Sequence, residues 1–433
     1  MRHSLLWKCF FFAMVSCAAT SAWSQSIDDS LSGGADHGEH SAEQQPHLLG
    51  DWGGARTRLL NRGVKFDLYY KSDWLWNVSG AKEERLAVWD RVRGTVDLDF
   101  SRLTHTPGLS FHITALWQGG GNLGTYLGTI TGPSGIASQN TCRLDSWWLE
   151  KRAFDQRLIM RAGQFAAQDF YGSQLFAPSF IFEPLQYALG NLSSTNEDFD
   201  PPSTPAAEVR VIPATHLYIK YMVSAAQQNP YAYNPTGFVP QFRGDAMSLS
   251  EIGYSPGRKA SALRSTDTVE TRKGYVGLYQ FGGVYNPGKF ASTSSPNPVS
   301  GNYLIYGIAS QALYRANPDT DRGIDLSIGT DWTPADRSRN NQDLTVAVRL
   351  NEPLSIGLHH TIGIAYVRAG INQSFPVSFP VTSAHPAEHA FEANFLLELP
   401  HAVVLQPVLQ YYVNTGGSSA NALVIGFHTK IDF

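Results

Sequence analysis

The C-terminal stretch ALVIGFHTKIDF constrains the fold more than any other feature of the chain. Leu423, Ile425, Phe427, Thr429, Ile431 and Phe433 fall on one side of an extended strand. Ala422, Val424, Gly426, His428, Lys430 and Asp432 fall on the other, because successive side chains of a strand alternate faces. One face is apolar, the other carries charge, and the strand stops on a terminal aromatic. In a soluble sandwich the apolar face would turn inward. In an outer-membrane barrel it turns outward to lipid, and the charged face lines a wet lumen.

The period of two begins after Gly63 and runs to the end. Sixteen strand-like segments are expected, near 64–78, 87–101, 109–118, 143–153, 157–165, 205–212, 216–226, 245–254, 274–286, 302–315, 322–333, 341–352, 358–370, 387–399, 402–414 and 420–433. The count is even, and many segments approach the roughly 9–11 residues a tilted strand needs to cross a bilayer. In the first, Phe66, Leu68, Tyr70, Trp74 and Trp76 oppose Lys65, Asp67, Lys71, Asp73 and Asn77. In the second, Val92, Val96, Leu98 and Phe100 oppose Arg91, Arg93, Asp97 and Asp99. The fourth, around Asp145-Ser146-Trp147-Trp148, does not assign its faces.

Connections alternate in length. Tight turns at 154–156, 213–215 and 400–401 interleave with long links at 119–142, 166–204, 227–244, 287–301 and 371–386. From a periplasmic N-terminus the turns fall on the periplasmic side and these long loops outside, as bacterial barrels require. The link at 255–273 is too long for its side and is expected to be an extra strand, a miscount or a periplasmic loop.

Composition agrees. Only 16% of residues are charged, against about 25% in soluble domains. Aromatics reach 12%, with 19 Tyr and 10 Trp, which suits girdles at both membrane interfaces. A sandwich or propeller would show polar outer faces or a repeat of roughly 40–50 residues, and the sequence has no such repeat. Charges on so many inward faces would be costly in a dry core. The expected fold is all-β: a 16-stranded antiparallel transmembrane β-barrel with a short N-terminal helix.

Residues 1–24 read as a signal peptide: Arg2, His3 and Lys8, a mostly apolar stretch from Leu5 to Ala19, and Ala22-Trp23-Ser24 before a cut at Gln25. A transmembrane anchor is too short here, and Met14-Val15-Ser16-Cys17 is a weak lipoprotein-like site. Cleavage removes two cations from a chain of formal charge -4, so no basic footprint for nucleic acid remains. It also leaves Cys142 alone, so no intramolecular disulfide is expected. Residues 25–47 read as a disordered polar linker. His37, His40 and His47 with Glu39 and Glu43 could suggest a metal cluster, but a solvated linker is the plainer reading. In 48–63, Asp51 can cap a short helix through Ala55, Leu59 and Leu60, which Gly63 ends. Residues 64–433 form the barrel.

Sixteen strands leave an aqueous channel, so function rests on its narrowest point. Arg91 and Arg93 share a face, with Arg161 and Arg210 on other lumen-facing strands. The connection 166–204 carries Asp169, Glu183, Glu197, Asp198 and Asp200 and no Lys or Arg. Folded inward, it would set a transverse field against the Arg wall, and guanidinium groups could donate paired hydrogen bonds to sugar hydroxyls. The plainer alternative pairs these Arg residues with Asp97, Asp99 or Glu208, and the loop merely caps the mouth. Trp89, Phe165, Phe170, Tyr171 and Phe176 could offer flat faces to sugar rings, or be girdle residues. No G-x-S-x-G, H-E-x-x-H or P-loop appears, and His359-His360 is a weak metal candidate.

Leu49-Gly50-Asp51-Trp52-Gly53-Gly54-Ala55-Arg56, followed by Leu59 and Gly63-Val64, resembles the opening signature of the carbohydrate-selective porin family of the OprB type. Arg157-Leu158-Ile159-Met160-Arg161-Ala162-Gly163-Gln164 with Asp169-Phe170, then Tyr285-Asn286-Pro287-Gly288 and Gly426 to Phe433, agree with it over about 49–433. The resemblance implies an outer-membrane pore for passive diffusion of glucose-type monosaccharides, with no cofactor and no energy coupling. It implies an Arg-rich eyelet, for which Arg91, Arg93 and Arg161 are the best-suited positions. Implied partners are monosaccharides, outer-membrane lipid and the barrel-assembly machinery, engaged through the strand ending at Phe433. A general or anion-leaning porin is the alternative, and a non-conducting structural or adhesion barrel the rival from another class.

Overall fold

Every strand of a membrane sheet must find hydrogen-bond partners on both edges, since lipid supplies none. The chain meets this demand by closing on itself. The computed structural model describes residues 47–433 except 82, 187–194, 196–202, 227–229, 258–273, 319 and 375–383. The proposed signal peptide and all of the polar linker but His47 therefore lie outside the described residues.

The strands are β1 Val64–Gly80, β2 Arg85–Asp99, β3 Leu109–Gly120, β4 Thr141–Ala153, β5 Leu158–Phe165, β6 Thr204–Ala214, β7 Leu217–Ala225 and β8 Ala246–Tyr254. They continue as β9 Gly277–Phe290, β10 Val299–Arg315, β11 Gly323–Trp332, β12 Asn340–Asn351, β13 His360–Ile371, β14 Ala387–Leu399, β15 Val403–Val413 and β16 Ala422–Asp432. Each pairs antiparallel with its sequence neighbours, and β1 pairs with β16 to close a 16-stranded barrel. Each expected strand segment has its counterpart. β8 and β9 pair directly, so no strand stands between them in the sheet, and most of the 255–273 link, residues 258–273, lies outside the described residues.

The alternation has the sense a membrane imposes. On β1, Trp74 and Trp76 are exposed while Asp73, Leu75 and Asn77 are buried inside. On β13, Ile364 is 60% exposed and its neighbours Ala365 and Val367 are buried. No helix among the described residues is long and apolar enough to cross a membrane. Across the closing seam Asp73 faces His428, and the outward rings of Trp74 and Phe427 stack with centroids 5.8 Å apart.

The N-terminal helix, α1 (Ala55–Asn61), docks beside this seam. Asp51 caps it from a distance: its Oδ1 accepts from the Thr57 amide at 2.8 Å and the Thr57 hydroxyl at 3.0 Å. The residue that opens the helix is Gly54, at φ 84. Trp52, Gly53 and Gly54 all take left-handed conformations, and this turn is what brings the Asp51 carboxylate back to the helix. Arg56 then spans to the chain end, where its Nη2 donates to the Phe433 carbonyl at 2.5 Å. The Phe433 amide donates to Leu68 at 2.9 Å.

Candidate functional site

Two loops turn inward against the lumen wall. Residues 166–186 of the first follow the inner wall. The Gly172 amide donates to Glu251 on β8 at 3.0 Å, Leu175 to Ser310 on β10 at 3.1 Å, and Phe176 to Ser327 on β11 at 3.4 Å. Gln174 donates to Thr345 on β12 at 2.8 Å. The Ile181 and Phe182 amides donate to the two oxygens of Glu392 on β14 at 3.0 and 3.1 Å, and Gln406 on β15 donates to the Ser179 carbonyl at 2.8 Å.

The 121–140 connection meets this belt. Its Ile130 and Thr131 amides donate to Glu388 on β14 at 2.9 and 2.7 Å, and Gly135 donates to the Ile181 carbonyl at 2.8 Å. Ser134 donates to Asp73, which also holds His428. The carboxylate stands between the hydroxyl and the imidazole, so these three do not form a nucleophile-to-base relay.

Opposite the belt, β2–β7 carry a ladder of charge. Arg161 on β5 bridges two carboxylates, Glu150 on β4 at 2.6 Å and Glu208 on β6 at 3.2 Å. Arg152 reaches Glu150 at 2.7 Å, Arg210 reaches Glu208 at 3.8 Å, and Arg93 on β2 reaches Asp145 on β4 at 3.5 Å. On β7, Lys220 pairs with Glu251 at 2.8 Å. Aromatic rings box in the Arg161 guanidinium, with Phe170 4.0 Å and Trp148 5.4 Å from its central carbon. Trp148 is half-buried and stacks on His112 with centroids 3.7 Å apart.

Local sequence explains the crowding at Glu251. Gly282 faces it across β8–β9, and Gly253 follows it two positions on. A Cβ at Gly253 would lie 2.2 Å from the Tyr218 ring, and one at Gly282 would lie 2.4 Å from the Tyr306 ring. Glycine at both places lets the two tyrosines reach Glu251, at 2.7 and 2.5 Å. In the inserted loop, burial and the Glu208 and Glu251 carboxylates push the Tyr171 hydroxyl well above the usual tyrosine range. It therefore stays neutral.

The expected site residues separate into groups. Arg161, Glu208 and Arg210 come together in the ladder. Asp169 lies in the inserted loop, one residue before the Phe170 ring against Arg161, and is 7% exposed. Arg91 is sealed beneath the 121–140 loop, donating to Gln118 at 2.9 Å and to the Ile136 carbonyl at 3.0 Å. Trp89 is buried on the same strand. Asp97 lies lower in the lumen and holds His112 at 2.7 Å, and Asp99 caps the turn after β2 through the Ser101 amide at 2.8 Å. Phe165, Phe170, Tyr171 and Phe176 are buried and pack the loop to the wall. Of the acidic loop residues, Glu183 is half-buried, and Glu197, Asp198 and Asp200 lie outside the described residues. His360 has both ring nitrogens engaged, with Leu354 and Leu358 backbone atoms, and His359 meets Glu352.

Trp148, Glu150, Lys220, Glu251, Glu388 and Glu392 were not among the expected site residues. For the first two the signal was scrambled by a bulge. Thr114 faces Ser146 while Ala115 faces Leu144, so Asp145 is skipped and the parity of β4 flips.

A closed sixteen-stranded barrel with an apolar outer wall, a charged lumen and loops folded inward is an outer-membrane porin. The family model for the carbohydrate-selective porins, OprB family, matches residues 83–433. The chain belongs to that family. It is 24% identical to Porin B of Pseudomonas aeruginosa over 437 aligned residues, covering 89% of this chain and 91% of that one. Its fold matches the high-pH structure of Pseudomonas putida OprB with a TM-score of 0.78 at 19% identity, covering 89% of this chain and 97% of the other. The low-pH structure of the same protein matches with a TM-score of 0.58 at 16% identity, covering 89% and 98%.

Proposed function

We propose that this carbohydrate-selective porin admits glucose-type monosaccharides by passive diffusion, and that Arg93, Trp148 and Arg161 form the selective wall of its constriction. The carrying observation is Arg161, fixed between Glu150 and Glu208 and boxed by Trp148 and Phe170. Such a strip offers rigid donors and acceptors beside an aromatic ring. It suits a neutral solute with many hydroxyls, which exchanges water for weak successive hydrogen bonds without being trapped. Arg91 serves differently: it holds the 121–140 loop in place. The reading needs no cofactor and no catalytic step.

The test is solute flux through the purified porin in liposomes. Glucose entering faster than a zwitterion of equal size supports a sugar-selective constriction. Equal rates leave a general porin, and no flux leaves a structural barrel. A second reading has its own support, since Arg93, Arg161, Arg210 and Lys220 crowd one wall. A reversal potential favouring chloride in a salt gradient marks an anion-leaning pore.

Residues 1–24 are proposed to be cleaved on export, with 25–47 a linker ahead of the barrel. We further assign assembly to recognition of the closing strand. Deleting Phe433 is expected to lower the yield of assembled barrel while export continues. Normal assembly of that variant removes the terminal aromatic from the recognition signal.

A further inference from the structure

Arg368 stands on the wrong side of the wall for a charge. Its strand neighbours Val367 and Ala369 face the lumen and are buried, which turns Arg368 outward to lipid. Below it, tyrosine and phenylalanine form a row across three strands: Tyr366 pairs with Phe391, and Phe391 with Tyr411. Such a row marks the boundary between hydrocarbon and headgroups. Arg368 and its partner in register, His389, sit one step above that row, near the extracellular ends of β13 and β14.

The side chain climbs the wall. A Cβ at Gly370 would lie 3.3 Å from Nη1 of Arg368 and 3.1 Å from Oδ1 of Asn341. The guanidinium therefore lies over Gly370, toward the rim, with the Asn341 amide beside it. A long cationic side chain rises in this way when its head seeks the polar layer. Tyr366 shares a 2.9 Å hydrogen bond with Nδ1 of His389, which fixes the ring and leaves Nε2 available.

Two other outward charges are satisfied within the protein. Asp90 on β2 accepts from Tyr70 at 2.6 Å and Ser72 at 2.7 Å. Lys151, at the periplasmic end of β4, donates to the Pro107 carbonyl at 2.6 Å. The carboxylate that the Arg368 charge acts on, Asp343, is buried on the lumen side of β12, and the guanidinium lies over Gly370 on the outer face. A cation that reaches the headgroup layer is placed to pair with an anion held there.

We propose that Arg368, Asn341 and His389 form a binding site for the phosphate of an anionic lipid headgroup in the outer leaflet. The planar guanidinium offers two parallel N–H donors to one phosphate. The Asn341 amide and His389 Nε2 add neutral donors on either side, and the aromatic row supports the upper acyl chains.

The full-length porin in detergent would be titrated with bisphosphorylated lipid A and with the same lipid stripped of phosphate, reading bound lipid by native mass spectrometry. Preference for the phosphorylated lipid is expected. Arg368→Gln should weaken its binding at least tenfold, while Arg368→Lys keeps part of it and Lys151→Gln keeps all of it. Equal binding of both lipids, or undiminished affinity in Arg368→Gln, overturns the site. Saturation by inorganic phosphate with no gain from the acyl chains overturns the lipid as its occupant. Should Arg368→Gln fail to assemble, the Asn341→Ala, His389→Gln double variant decides, and unchanged affinity there also overturns the proposal.

Discussion

Buried carboxylates on the two sides of this lumen are satisfied in opposite ways. On β4–β6, Glu150 and Glu208 share the guanidinium of Arg161. On β14, Glu388 and Glu392 take backbone amides: Ile130, Thr131 and Gly416 for the first, Ile181 and Phe182 for the second. The first arrangement is a charged surface held rigid by its own counter-ions. The second is a clamp that turns loop backbone into part of the wall. Wall charge at Arg161 and loop position at β14 are therefore set by separate residues, while Glu251, which pairs with Lys220 and takes the Gly172 amide, belongs to both.

The largest expected effect comes from breaking the first side. Arg161→Ala leaves Glu150 with Arg152 alone and Glu208 with the more distant Arg210, the two carboxylates facing one another in a confined space. Losing one partner of such a buried pair costs about 3–5 kcal/mol. The variant is expected to unfold at lower denaturant in detergent and to lose the proposed preference for glucose over a size-matched zwitterion. Retained stability together with retained preference would remove Arg161 from both roles.

A smaller effect is expected on the second side. Glu392→Ala orphans the Ile181 and Phe182 amides, at about 1–3 kcal/mol for each group left without a partner. The Asn394 and Gln410 side chains lose a partner too, at 2.8 and 3.2 Å, but the β13–β14–β15 ladders are backbone pairs that do not use the Glu392 side chain. Single-channel recordings should show larger and noisier conductance, and protease added outside should cut within 166–203, while the barrel band survives. Quiet, wild-type conductance would show that the belt is held by its other anchors, Glu251, Ser310 and Gln406.

The two sides were not equally legible in the sequence. The strands stood out because lipid on one face and water on the other force a period of two, and Trp74, Val346 and Ile425 cannot move to the lumen without exchanging with Asp73, Thr345 and Val424. The ladder was half visible: Arg161, Glu208 and Arg210 lie at inward positions of clean strands, whereas Glu150 lies below the β4 bulge. The clamps were invisible for a different reason. Glu388 and Glu392 look like any other inward charges, and their partners are amides of Thr131 and Ile181, 257 and 211 residues away. Backbone donors carry no residue signature. Arg91 misled for the same reason, since one of its partners is the Ile136 carbonyl.

The smallest expected effect lies outside the lumen and calibrates the other two. Trp74 and Phe427 stack across the β1–β16 seam on the outer wall, with an interplanar angle of 11°. Beyond the area it buries, an aromatic pair contributes about 0.5–1.5 kcal/mol. The backbone ladder from Tyr69–Asp432 to Gly80–Ala422 closes the seam independently of it. Trp74→Ala should thus lower the denaturation midpoint slightly and leave solute preference and channel noise untouched. A change in preference here would mean that selectivity follows barrel shape as a whole. The division of labour between ladder and clamp would then fail, because a residue touching neither would have moved what they control.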